Sequence, residues 1–282
     1  MELDVHAASF RGLARLTALK QAPDGAVHLG HWRRGPFLDA LVKRLKPRHI
    51  LEFGTGRGYG ALCMARASVE GGFDCTVWTI DMIPTTQPQP WLLDEGAGAV
   101  SIHASLEQVW SKHMPAAWIQ RIRCLTGDSR SVMKRWRRES LPRIDGCFID
   151  GGHDYGTVKH DFVAALRIAN PRCSFLFDDY TDRKGYGVKQ FFDSELAPKL
   201  PAEAWEVLDP LTWDETRFGE KVAHKLVLLN GDALGARTLA ELYSPREVRA
   251  FEGWDALRVG CRRIATGLKA LVRPRLKTAR EG

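Results

Sequence analysis

No two of the six cysteines (Cys63, Cys75, Cys124, Cys147, Cys173, Cys261) stand at CxxC spacing. Four of them fall in or beside apolar runs that read as buried strands, where an unpaired cysteine behaves as a small hydrophobe. Such usage fits a reduced, cytoplasmic protein rather than one stapled by disulfides. No run of eighteen apolar residues occurs, so no membrane-spanning helix is expected. The opening Met-Glu-Leu-Asp-Val-His lacks the charged-then-apolar layout of a secretory signal. Internal repeats and low-complexity segments are also missing, which leaves one large globular domain or two small ones within 282 residues. Apolar residues make up 44% and charged residues 27%, enough to build a sizeable core. Acidic residues are short mainly at the end of the chain. Residues 245–282 carry ten Lys/Arg against four Asp/Glu, six of the net +7. The rest is close to neutral, so no nucleic-acid partner is expected, while the tail could adhere to anionic surfaces.

What is present is a rhythm of apolar runs and helical segments. His49-Ile-Leu-Glu-Phe-Gly54, Cys75-Thr-Val-Trp-Thr-Ile-Asp81, Ile122-Arg-Cys-Leu-Thr-Gly-Asp128, a run from Ile144 to Asp150 and Ser174-Phe-Leu-Phe-Asp178-Asp179 read as strands. Helical spacing at 59–67, 129–138 and 157–168 alternates with them, which predicts an α/β fold with a doubly wound, mostly parallel sheet. A helix is expected at 188–196. Trp205-Glu-Val-Leu-Asp209 and His224-Lys-Leu-Val-Leu-Leu-Asn230 are expected to finish the sheet as an antiparallel hairpin. Residues 1–47 read as a helical cap over one edge of the sheet, with Leu13, Leu16 and Leu19 on one helix face and a turn-rich break at 30–36. A lid made from His28, His31 and Trp32 is the sharper alternative. The proline-rich segment 82–120 is expected to be partly irregular and to contribute to substrate choice.

Two acidic strand ends dominate the chemistry. The strand that closes on Ile149-Asp-Gly-Gly-His153-Asp-Tyr155 and the one that closes on Phe177-Asp-Asp-Tyr180 would bring Asp150, Asp178 and Asp179 to the sheet edge where α/β proteins bind ligands. His153 lies beside them. That combination reads as a hard-metal site with a titratable base next to it. The consecutive pair at 178–179 would face opposite sides of a regular strand, so only a bend lets both reach one ion. The same acids could serve instead as hydrogen-bond acceptors, and Asp154 as a helix cap. His160 and Asp161 read as a solvated helix face.

The glycine loop Glu52-Phe-Gly54-Thr55-Gly56-Arg-Gly58-Tyr-Gly60 leaves a strand and enters a helix, whose first N–H groups are unpaired. Its G-x-G-x-G spacing departs from the dinucleotide fingerprint G-x-G-x-x-G, and Glu52 would repel a diphosphate. Asp81 is placed to accept from both hydroxyls of a ribose, and Asp128 from an exocyclic adenine amine.

These features in order resemble a class I S-adenosylmethionine-dependent methyltransferase. The Ile149–Tyr155 and Phe177–Tyr180 stretches resemble its small-molecule branch, which includes macrolide-sugar O-methyltransferases and the cephamycin-pathway enzyme. The resemblance covers about residues 35 to 230. It implies a Rossmann-like seven-stranded sheet of order 3-2-1-4-5-7-6 with an antiparallel last strand. It further implies S-adenosylmethionine held by Glu52, Gly54, Thr55, Gly56, Gly58, Asp81, Met82, Gly127, Asp128 and Ser129. It implies Mg²⁺ on Asp150, Asp178 and Asp179, with His153 as base and Asp150 beside it in catalysis. The acceptor would be a hydroxyl of a small glycosyl or secondary-metabolite molecule. Where the family commonly has Pro-Gly-Gly before the fifth strand, this chain has Asn170-Pro-Arg-Cys173.

The expected organisation is a cap at 1–47, a cofactor-binding domain at 48–232 and a basic helical extension at 233–282. In the extension Trp254, Leu257, Cys261, Ile264, Leu268 and Leu271 recur at steps of three and four, with Gly253, Gly260 and Gly267 on another line. Packing on the chain's own domain, a homo-oligomer contact and an in-plane membrane anchor all fit that stripe. Two other functions compete with methyl transfer: a nicotinamide-dependent oxidoreductase or epimerase, and a non-catalytic adapter with a basic membrane- or partner-binding tail.

Overall fold

Runs rich in Ile, Phe, Val and Cys suit strands covered on both faces, and five of them align in parallel. They are His49–Phe53 (β1), Thr76–Asp81 (β2), Ile122–Thr126 (β3), Ile144–Ile149 (β4) and Ala169–Tyr180 (β5). Trp205–Leu208 (β6) and Lys225–Leu229 (β7) pair antiparallel with each other, and β7 pairs antiparallel with β5. The seven-stranded sheet has the order β3-β2-β1-β4-β5-β7-β6, the topology that the resemblance implied. This computed structural model describes residues 7–22, 24–30, 32–208, 215–217, 220–222, 224–233, 241–244 and 246–247. The chain divides into two compact units, Met1–Leu239 and Ala240–Gly282. In the second, Ser244 Oγ accepts from Glu247 N while Glu247 Oε2 accepts from Ser244 N. The glycine-spaced stripe at 254–271 lies outside the described residues, as do His31 and Asp209.

Helices Ala7–Thr17 (α1), Arg34–Leu45 (α2), Tyr59–Glu70 (α3), Leu106–His113 (α4), Ala116–Ile119 (α5), Ser129–Arg138 (α6), Tyr155–Leu166 (α7) and Val188–Phe191 (α8) accompany the sheet. None of the described helices is long and apolar enough to cross a membrane. α4 starts on a capping box between Ser105 and Gln108, and α7 on Asp154, whose Oδ1 accepts from Gly156 N and Thr157 N. Phe162 of α7 is fully buried against Phe175 and Phe177 of β5 and Phe191 of α8.

Three local expectations change. The first fifty residues are not all helical: Leu19 has left α1 and pairs in a short hairpin, Leu19–Gln21 with Val27–Leu29, turned at Gly25 with φ +88°. α1 and α2 pack on α3, and α1 also on the strand Gln89–Asp94. The break at 30–36 ends early because α2 starts at Arg34 and tolerates Gly35 and Pro36 in its first turn. Second, the segment 82–120 is irregular only at 82–88 and around its turns, and the rest of it holds a hairpin and two helices that the sequence reading did not place. Gln89–Asp94 pairs with Ala99–Ala104, and Trp91 is buried with its indole N–H donated to the Leu16 carbonyl. Burial of that one ring outweighs the proline signals around it. Third, His160 and Asp161 are no solvated face: Asp161 is buried and bonded to Ser129 and His160.

Gly54 ends β1 at φ +92°, and a Cβ there would lie 2.1 Å from the Asp150 carbonyl oxygen. Gly56 has φ +52° with open space around it. Gly54→Ala is therefore expected to cost at least about 3 kcal/mol, the strain of an unfavourable φ plus a backbone clash. Gly56→Ala should cost only the strain, about 1 kcal/mol. Thermal unfolding of both variants checks this, and equal losses would show that the approach to Asp150 does not select glycine.

Candidate active site

The carboxyl ends of β1 and β2 open a cleft. Its empty volume is about 290 Å³, and its lining includes Thr55, Gly56, Asp81, Pro84, Leu106 and Leu125. The glycine loop forms one wall. Gly58 has φ +87° and presses on the Trp110 ring, where a Cβ would come within 2.0 Å. Arg57 points away from the cleft: Nη1 donates to the Leu19 carbonyl and the guanidinium lies over Trp91. The 89–104 hairpin thereby braces the loop. Asp81 Oδ2 accepts from Gly56 N at 2.8 Å and Oδ1 from Ile83 N at 2.9 Å, so it ties the two walls together.

Other residues expected at the cofactor stand differently. Glu52 is buried beneath the loop and accepts from Thr79 Oγ1 at 2.6 Å, and Thr79 in turn contacts Thr55 Oγ1. Burial pushes the Glu52 carboxyl up to about 8. It supports the loop from below. Gly127 has φ +137° and donates its N–H to the Asp81 carbonyl. Asp128 caps α6 through Oδ1, which accepts from Arg130 N. Ser129 Oγ donates to Asp161 Oδ1 and so joins α6 to α7. Met82 follows Asp81 and is 69% exposed. Of the expected set, Thr55, Gly56 and Asp81 line the cleft.

The second cluster sits where β4 and β5 end. Asp179 has φ +58°, a left-handed conformation that bends the strand, and its N–H donates to Asp178 Oδ1 at 2.8 Å. Both acids turn inward, but to different partners. Arg34 Nη1 lies 2.7 Å from Asp150 Oδ2 and bonds Asp178 Oδ2. Asp179 Oδ2 accepts from His153 Nδ1 at 2.8 Å, and its Oδ1 pairs with His224 Nδ1 at 2.6 Å. His153 stacks on Tyr186 with ring centroids 4.9 Å apart, and Tyr186 meets His224 edge-on. The His153 side chain is 43% exposed, whereas those of Asp179 and His224 are buried.

Electrostatics follow from these contacts. Burial lowers the pKa of Arg34, but the charges of Asp150 and Asp178 outweigh it and hold the guanidinium protonated. Burial pushes the Asp150 carboxyl well above the usual carboxylate range, with Arg34 pulling the other way. The hydrogen bond that His153 donates to Asp179 raises the pKa of the histidine, and burial opposes it.

Asp150, Asp178, Asp179 and His153 thus converge as the sequence suggested. The expected divalent ion does not fit them, because Arg34 bridges two of the acids and two histidines take the third. Among the described residues, no three His, Cys, Asp or Glu side chains form a metal-holding group. Arg34, His224 and Tyr186 are the residues that sequence reasoning missed. His224 had a faint signal: it opens the apolar run read as the last strand and stands just before Lys225, which pairs with Tyr180 in the structure. Arg34 had none.

Residues 51–180 match a family model described as a methyltransferase domain. A curated protein of Sinorhizobium fredii strain NGR234, the uncharacterised y4gI, is 29% identical over 220 residues. Those residues are 76% of this chain but 21% of that protein, so the chain spans about a fifth of the relative's length. Among solved structures, the O-methyltransferase TomG of Streptomyces achromogenes, involved in tomaymycin synthesis and bound to SAM, is 18% identical with a TM-score of 0.49. The match covers 74% of this chain and 82% of TomG. A Bacillus cereus O-methyltransferase bound to SAH is 17% identical with a TM-score of 0.48, covering 81% of this chain and 90% of its own. Likenesses this low decide nothing about this chain's chemistry. Residues 51–180 are thus similar to a methyltransferase domain, and the strand order around them is the one that the class I S-adenosylmethionine-dependent resemblance implied.

Proposed function

We propose that this chain is an S-adenosylmethionine-dependent O-methyltransferase acting on a hydroxyl of a small molecule of glycosyl or secondary-metabolite type, with residues 48–232 as its catalytic domain. The observation that carries this reading is the His153–Asp179 pair. Its Nδ1–H is spent on a buried carboxylate at the edge of a methyltransferase sheet, and the ring is half exposed. That bond selects the tautomer whose Nε2 lone pair can take a proton.

The cofactor fits the residues present. The loop from Gly54 to Gly58 has glycine at every other position, each at positive φ, and the cleft beside it ends in Asp81. In this reading Gly54, Thr55, Gly56 and Gly58 hold the amino-acid end, and Asp81 accepts from the ribose hydroxyls. Met82, Gly127, Asp128 and Ser129 flank the adenine side, the last two through the start of α6. Glu52 acts by supporting the loop. When bound, S-adenosylmethionine supplies a methyl group on a cationic sulfur that leaves as a neutral thioether. His153 Nε2 accepts the proton of the acceptor hydroxyl as the new C–O bond forms. Asp179 keeps the ring in place and stabilises the imidazolium, while His224 and Tyr186 fix Asp179 and His153 in turn. Much of the acceleration in such a site comes from holding the hydroxyl in line. The unpaired cysteines 63, 75, 124, 147 and 173 support a cytoplasmic setting.

The nicotinamide reading is separated by ligand binding. S-adenosylhomocysteine is expected to raise the unfolding temperature of the chain and NAD to leave it unchanged. The reverse result would sink the methyl-transfer reading. Candidate sugars and phenols with labelled methyl donor then identify the acceptor.

A further inference from the structure

We infer that Arg34 takes the place of a divalent cation between Asp150 and Asp178, so that the acceptor site works without a metal. This rests on the reading of that crevice as the acceptor site. Five of the six oxygens of Asp150, Asp178 and Asp179 already meet a donor of the chain: Arg34, the Asp179 N–H, His153 and His224. A magnesium ion requires near-octahedral oxygen ligands at short range and would have to displace the guanidinium first.

Arg34 is built into its position. Gly35, the next residue, packs so closely on α3 that a Cβ would meet the Tyr59 hydroxyl at 2.3 Å and Cys63 Sγ at 3.0 Å. The Tyr59 hydroxyl donates to the Trp32 carbonyl and so fixes the chain just ahead of Arg34. The guanidinium carbon lies 6.0 Å from the Tyr59 ring and 5.8 Å from the Phe148 ring, and the side chain is 18% exposed. A planar donor held in this way orients two carboxylates but offers no open coordination positions. Arg34 is a positioning residue.

The experiment titrates Mn²⁺ into the full chain, reads free ion by electron paramagnetic resonance, and measures S-adenosylhomocysteine affinity in parallel. The wild type is expected to bind no Mn²⁺ at this site and to keep the same cofactor affinity with EDTA or Mg²⁺. Arg34→Ala is expected to gain one Mn²⁺ per chain, lost again on adding Asp150→Asn. A wild-type Mn²⁺ site that Asp150→Asn removes would overturn the inference, as would a folded Arg34→Ala chain that gains none. If Arg34→Ala does not fold, wild type and Asp150→Asn alone decide. Failure of S-adenosylhomocysteine to bind in every sample would sink the methyl-transfer reading instead, and the Mn²⁺ counts would still decide the role of Arg34.

Discussion

His153→Ala is expected to lower kcat by about 10²–10⁴-fold, the usual contribution of a positioned general base. S-adenosylhomocysteine affinity should stay unchanged, because His153 does not line the cofactor cleft. The sharper test is Asp179→Asn. In the wild type the Asp179 bond raises the pKa of His153. A base must be neutral to act, so the rate should climb with pH through a limb lying above the ordinary histidine value. With the carboxylate gone, that limb should move down. The same shift has a stability sign. A raised folded-state pKa contributes stability that is fully present below the unfolded value and is lost as pH rises through the folded one. Wild type should thus lose a little stability across that window, and Asp179→Asn should not. A pH–rate profile without a limb near or above neutrality, or one that Asp179→Asn leaves in place, would remove His153 as the base.

Asp81→Ala is expected to weaken S-adenosylhomocysteine binding by about ten- to a hundredfold, since hydrogen bonds to a charged acceptor contribute about 1.5–3 kcal/mol. Two effects combine. The ribose loses its acceptor, and Gly56 N and Ile83 N lose the carboxylate that ties the loop to the end of β2. Asp81→Asn separates them. It retains one oxygen acceptor but no charge, and should fall between wild type and alanine. Calorimetry reads the affinity, and thermal unfolding shows that the sheet survives. An unchanged affinity in Asp81→Ala would exclude the ribose role.

The legible part of the site lies where a short apolar run meets a residue type with one obvious use. Asp81, Asp150 and the 178–179 pair all fall at strand ends because parallel strands buried on both faces admit few polar residues before their carboxyl edge. Gly54 was legible too, and its reason is now visible in the Asp150 carbonyl beside it. Asp128 and Ser129 were read for their position after β3, but position does not give direction. One caps its helix and the other bonds Asp161 of a neighbouring helix. The hairpin within 82–120 was not legible because its prolines are local signals and the burial of Trp91 is not.

From the sequence alone came the alternation of strands and helices, the strand order implied by the family resemblance, and the set of carboxylates gathered at one edge. Which partners those carboxylates meet, Arg34 and two histidines, came only from the tertiary structure. Arg34 lies far from them along the chain and arrives through the packing of α2 on α3. The left-handed turn at Asp179 sends two consecutive acids to different partners, Arg34 for one and a pair of histidines for the other. Charge compensation depends on distance in space, and no spacing in the sequence encodes that distance.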